Sequence, residues 1–304
     1  MAEKQMIIKR ERGKMMAALS SVVAAVLLTV MKIVVGVLTG SLGILAEAAH
    51  SGLDLVAAIM TLFAVKISDR PADKEHLYGH GKVENLSALF ETLLLFGTCV
   101  WIIYEAVQRL FFKAVAVEVN IWAFIVMGIS IIVDVSRSRI LYRAARKYKS
   151  QALEADALHF STDIWSSAVV ILGLIFVKLG TMFPKLILFE YADAIAAVAV
   201  AIIVVFVSIR LGMRTVQSLI DVAPVGIKER ITEEVEKVTG VMDCHNVRLR
   251  RSGSRLFIDI HIIVDGSKPL HEVHALTDEI EKMIEEKIPD SDITVHPEPG
   301  TPGN

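Results

Sequence analysis

The sequence predicts an α-helical membrane protein, with six transmembrane helices followed by a cytosolic α+β domain of αββαβ order. Three observations carry this. The chain has 304 residues, of which 54% are hydrophobic, and its mean hydropathy is +0.55, far above that of a soluble globular protein. The apolar residues come in blocks of about twenty or more, the length a bilayer core demands. Past Pro224 the pattern changes to charged helices and alternating strands.

In chain order, residues 1–14 form a cytosolic segment carrying Lys4, Lys9, Arg10, Arg12 and Lys14. No small-residue cleavage site follows closely, so the first apolar block reads as a retained helix and not a signal peptide. Spans are expected at 15–38, 42–67, 86–110, 119–136, 160–183 and 191–213, within a transmembrane domain at 15–222. The connections after the first, third and fifth spans are poor in basic residues. The fourth is followed by Arg137, Arg139, Arg143, Arg146, Lys147 and Lys149. Basic loops mark the cytoplasmic side, which puts both termini there and makes this a multi-pass protein of the cytoplasmic (inner) membrane. Trp122 and Tyr191 are expected at the outer interface. Membrane lipid is one expected partner; nucleic acid is not. Cys99 and Cys244 provide neither a disulfide framework nor a CxxC spacing.

The cytosolic domain is placed at 223–296. An amphipathic helix at 226–238 carries the stripe Ile227, Ile231, Val235 and Val238. Leu256, Ile258, Ile260, Ile262 and Val264 then alternate with a mixed face that includes Asp259 and His261, the period of a half-buried strand. A helix at 270–287 and a short strand at 292–296 follow, with the helices on one face of a small sheet. Residues 297–304 read as a frayed tail. There is no internal repeat.

The chemistry concentrates in two copies of one spacing, His50 to Asp54 and His159 to Asp163, inside the second and fifth apolar blocks. An aspartate at a bilayer centre costs roughly 2.5–3.5 kcal/mol even on the lenient insertion scale, so these groups need partners. A single such residue is readily satisfied by a backbone carbonyl; two matched pairs point to a metal ion. Residues four apart share a helix face, so the pairs supply two imidazoles and two carboxylates, a closed tetrahedral set suited to Zn²⁺. Glu47, one turn before His50, is the nearby charge best able to influence the site. Lys32, Glu91, Glu105 and Asp134 are expected to pair or to face water. After the second span, Asp73, His76 and His80 form a DxxHxxxH ligand set.

With these motifs in this order, the chain resembles the cation diffusion facilitators, dimeric metal/proton antiporters, and is similar to their bacterial zinc and iron efflux members. The resemblance covers nearly the whole chain. It implies a homodimer that exports Zn²⁺ by alternating access with protons as counter-ion, and a transport site built from the second and fifth spans, where His50, Asp54, His159 and Asp163 fall. Histidine at position 50 is associated with zinc preference; members with aspartate there also handle cadmium. Asp73, His76 and His80 match a loop-borne zinc site. His245, His261, His274 and His296, with Glu298, match a cytosolic binuclear zinc site of regulatory or structural kind, although the relatives end in His-x-Asp where this chain has His296-Pro297-Glu298. His271 is a further candidate there. Lys82 and Asp221 match a charge interlock near the dimer hinge. Fe²⁺ and Mn²⁺ are same-class rivals to zinc. An intramembrane zinc metallohydrolase is the rival of another class, but it needs an open coordination position and a base, and the chain has no HExxH. No enzymatic activity is expected.

Overall fold

Six long helices come first: α1 (Ala2–Thr39), α2 (Leu42–Ser68), α3 (Lys82–Phe111), α4 (Ile121–Tyr148), α5 (Gln151–Met182) and α6 (Leu188–Leu219). The structure, a computed structural model, describes residues 2–111, 121–182 and 188–300. The loop 113–118 and the side chains of Glu105 and Tyr191 lie outside the described residues. The chain divides into two compact units, one made of residues up to 69 with 83–215, the other of 70–82 with the remainder from 216.

Within the described residues all six apolar blocks are helical, and several helices outrun them. α1 begins at Ala2 and not at 15, α4 continues to Tyr148, and α5 starts at Gln151. Local chemistry sets the breaks. Gly40 takes the left-handed conformation (φ 64°) that ends α1, and Ser41 caps α2 by accepting from the Ile44 N–H at 3.4 Å. Among the described residues four helices, α1, α2, α3 and α6, hold a window long and apolar enough to cross a membrane, where the sequence leads one to expect six. Arg137, expected in a cytoplasmic loop, is 5% exposed. Its guanidinium stacks on Phe160 at 3.5 Å, donates to the Ser21 hydroxyl at 3.0 Å and pairs with Asp134 at 3.3 Å.

Small residues let the helices approach closely. Ala17 and Ala18 of α1, Val65 of α2, Leu141, Ala144 and Ala145 of α4, and Leu153, Ala157 and Phe160 of α5 form one buried cluster, as expected where backbones must pack without a hydrophobic drive. The outward faces carry exposed Leu27, Val30, Val37 and Leu38 on α1. Lys14, expected in a free cytosolic segment, is instead 1% exposed and bonds both Asp69 and Glu84.

The second unit has α7 (Ile227–Glu236), β1 (Val241–Ser252), β2 (Arg255–Asp265), α8 (Leu270–Lys287) and β3 (Ser291–Gly300). The sheet order is β1-β2-β3, antiparallel between β1 and β2 and parallel between β2 and β3. Even-numbered residues 256–264 of β2 pack with Ile231 and Val235 of α7 and with Val273, Leu276, Ile280 and Ile284 of α8, so both helices cover one face. The expected tail is corrected in part: β3 continues to Gly300, paired through Pro297, Glu298 and Pro299 with Ile262, Ile263 and Val264. The two prolines are two residues apart on an edge strand, so both place their missing N–H on the free side, where no ladder bond is lost.

Ile260 is fully buried at the centre of this sheet. Ile260→Ala should cost about 2–5 kcal/mol. Urea titration of the full-length protein carrying Cys99→Ser, read by thiol labelling of the buried Cys244, should show an earlier midpoint; an unchanged midpoint refutes this core assignment.

Candidate metal centres

α2 and α5 bring the two HxxxD pairs together. His159 Nε2 lies 3.0 Å from Asp54 Oδ1 and 3.6 Å from Asp163 Oδ2. His50 Nε2 lies 3.7 Å from Asp163 Oδ1 and 4.0 Å from Asp54 Oδ1. Tetrahedral zinc, with bonds of about 2.0–2.2 Å, separates its donors by about 3.3–3.6 Å, a span that these nitrogen–oxygen distances bracket. Donor atoms of His50, Asp54 and Asp163 all fall within 4.8 Å of one another. His159 and Asp54 are buried, at 4% and 8% exposed, whereas the His50 side chain is 39% exposed and marks the open side. Asp163 Oδ2 is enclosed with no hydrogen-bond partner, an acceptor available to a cation.

Glu47 acts electrostatically on His50. It is held by Lys32 at 3.3 Å, and Lys32 also donates to Ser51 at 2.7 Å, clasping α1 to α2. Sequence reasoning missed Asp156, which is fully buried and accepts from Ser21 at 3.2 Å. Its place three residues before His159 put it on the same face of α5, but it lacks a matched partner in sequence. Arg137 and Lys14 were missed because a basic residue near a span end ordinarily reads as a loop charge.

In the loop, His76 Nδ1 lies 3.3 Å from Asp73 Oδ1 and His80 Nε2 3.4 Å from Asp73 Oδ2, with the two rings 4.3 Å apart. The turn at Gly79 (φ 75°) lets the chain double back between the histidines. The backbone N–H of His76, helped by that of Glu75, holds the Asp73 carboxyl below its ordinary range. Tyr78 of this loop stands edge-on to Phe257 at 5.3 Å, and Arg250 covers its ring at 3.6 Å.

The sheet register builds the third cluster: His245 of β1 pairs with His261 of β2, which pairs with His296 of β3, one row across three strands. Glu298 is its hub, with oxygens 2.7 Å from His261 Nδ1, 3.5 Å from His245 Nε2 and 4.0 Å from His296 Nε2. Glu298 reaches the row because residues two apart on a strand share a face. Asp243 adds a carboxylate 3.0 Å from His245. His274 stands apart, on α8 and 3.9 Å from Asp278; with His271 it lines a cavity of about 640 Å³ beside Val295 and Pro297. Lys82 pairs with Asp221 at 3.0 Å and donates to the Leu219 carbonyl at 3.2 Å.

Comparison with known proteins identifies the family. The family model described as the cation efflux transmembrane domain matches residues 18–220, and that for the cation efflux protein cytoplasmic domain matches 224–300. The cation-efflux pump FieF of Yersinia enterocolitica is 32% identical over 286 residues, 93% of this chain and 92% of that one. FieF of Serratia proteamaculans is 31% identical over the same shares. A solved structure of the Zn form of CzrB is 33% identical and covers 25% of this chain and 88% of that one, with a TM-score of 0.24.

The hydrogen bond from His261 keeps the Glu298 carboxyl below its ordinary range, so the stabilisation it contributes is present above the ordinary glutamate value and is lost only as pH falls through the lowered one. With the other two sites removed by Asp54→Ala and Asp73→Ala, calorimetric zinc binding should fall at least tenfold in His261→Ala and change little in His274→Ala. Equal losses in the two variants refute the row as the binding group.

Proposed function

The chain belongs to the cation diffusion facilitator family and is a multi-pass membrane cation-efflux transporter, not an enzyme; from that premise we propose that it exports Zn²⁺ in exchange for protons through the cage of His50, Asp54, His159 and Asp163. The observation that carries this reading is the meeting of two imidazoles and two carboxylates from α2 and α5 at distances of 3.0–4.0 Å. Two nitrogen and two oxygen donors favour zinc; Mn²⁺ and Fe²⁺ ordinarily take more ligands and more oxygen. The carboxylates cancel the charge of a dication that would otherwise be costly in a low-dielectric interior.

Proton exchange follows from the same contacts. Without metal, His159 shares a hydrogen bond with Asp54 at 3.0 Å, and the proton of that bond occupies the place where the ion must sit. A ligating imidazole nitrogen carries no proton, so loading the metal expels protons and protonation expels the metal. Alternating exposure of the cage to the two sides converts an inward proton gradient into outward zinc flux.

In this reading α1 to α6 all span the inner membrane and both termini lie in the cytoplasm, as the basic loops suggest. The protein is a homodimer. Asp73, His76 and His80 hold a second, more exposed zinc, and the His245, His261, His296 and Glu298 row a regulatory or structural one. The Lys82 to Asp221 pair serves as the interlock near the hinge.

Asp54→Ala or Asp163→Ala should abolish zinc flux in reconstituted vesicles while leaving a folded protein, because each removes a ligand together with a costly buried carboxylate. Wild-type flux in either variant refutes the site. His50→Asp should raise cadmium flux relative to zinc, since an anionic oxygen replaces a fixed imidazole and enlarges the cage; an unchanged ratio removes His50 as the selectivity element. Competition by Fe²⁺ and Mn²⁺ in the same vesicles ranks the ions.

A further inference from the structure

Thr61 follows Asp54 by seven residues on α2, which sets it about 10 Å further along the helix, toward the end that precedes the 69–82 loop. Its hydroxyl donates to Glu91 of α3, and Ser87 lies 3.5 Å from the same oxygen. Glu91 is 2% exposed, and its second oxygen, Oε2, is enclosed with no hydrogen-bond partner. Among the described residues no lysine or arginine pairs with it. The titratable groups whose charges act on it are Asp156 and His159, both on α5. α2 offers it a hydroxyl, and the guanidinium of Arg137 on α4 is engaged with Asp134 and Ser21. On α6, Leu211 packs with Ala88 and Ala155, while Arg214 pairs with Glu154.

A carboxylate anion this enclosed and without a counter-cation is among the costliest groups a protein interior can hold. The neutral acid avoids that cost and still accepts from Thr61. We propose that Glu91 is a proton-binding site of the exchange cycle, one layer to the cytoplasmic side of the metal cage, filled when the cage is empty and emptied when the ion arrives. This rests on the antiport reading above. Its location suits the direction of exchange: in that reading the ion enters from the cytoplasm, where the counter-transported proton must leave. On loading, the carboxyl O–H bond breaks, the proton passes to water on that side, and the carboxylate remains with the electron pair. A net positive charge added at the cage about 10 Å away lowers the proton affinity of Glu91 by roughly tenfold at an effective dielectric near 20. His159, whose charge already acts on Glu91, is the ligand through which the two sites sense each other.

Glu91→Gln keeps the shape and the acceptor for Thr61 but cannot titrate. With purified full-length protein, two readouts apply: the infrared C=O stretch of a neutral buried carboxylic acid before zinc addition, and the protons released per zinc bound in weakly buffered solution. Glu91→Gln is expected to lose the infrared band and to release one proton fewer than the wild type. Glu91→Asp is expected to restore both. Persistence of the band or an unchanged proton yield in Glu91→Gln overturns the assignment. A loss that Asp does not restore reveals a packing role and overturns it as well. A wild type that binds zinc and releases no protons sinks the antiport reading itself, an outcome separable from the others.

Discussion

A charge enclosed in an apolar helix bundle must be neutralised by another group, and that demand arranges the membrane unit. Lys14 meets Asp69 and Glu84 and so pins α1 to α2 and α3. Lys32 meets Glu47 and Ser51, clasping α1 to α2 a second time. Arg137 gathers Asp134, Ser21 and the Phe160 ring, and Ser21 passes the contact on to Asp156, which ties α1, α4 and α5. Breaking such a pair leaves one uncompensated charge and costs more than the pair itself contributes, so these contacts dictate helix neighbours more firmly than the interchangeable alanines between them.

Against that background the cage is distinguished by its incompleteness. Among the described residues its carboxylates pair with imidazoles, and Asp163 Oδ2 has no hydrogen-bond partner. The same physics that closes the structural pairs therefore leaves a cation-shaped demand between α2 and α5. In the proposed exchange, cargo and protons meet it in turn, and neither satisfies it permanently. The His50 side, more exposed than the rest, is where the occupant can change.

In the cytosolic unit the governing constraint is register. The even residues of β2 face the helices and the odd ones face away, so His261 is committed to the outer face by the burial of Ile260 and Ile262. Pairing then aligns His245 and His296 with it. A slip of one residue would turn the histidine row into the core and the isoleucines outward, a change the burial energy forbids.

Hydrophobic periodicity and ligand spacing are local properties, and what depends on them was legible from the sequence: six helical blocks, the αββαβ order with helix α8 at 270–287, the two HxxxD pairs and the loop triad. What depends on which distant segments meet was not. Arg137 and Lys14 read as loop charges until Phe160 and Glu84, far along the chain, were seen to cover them. Glu298 became the hub of the histidine row, and His274 fell outside it, only once the parallel pairing of β2 with β3 set which residues stand side by side. Residues 297–300 form strand and not tail because β2 supplies the partners that a proline-rich segment cannot provide for itself. The sequence by itself determined which residues can share a helix or strand face; the tertiary structure decided which faces meet, because counter-charges and strand partners are supplied by packing across the chain and not by neighbours along it.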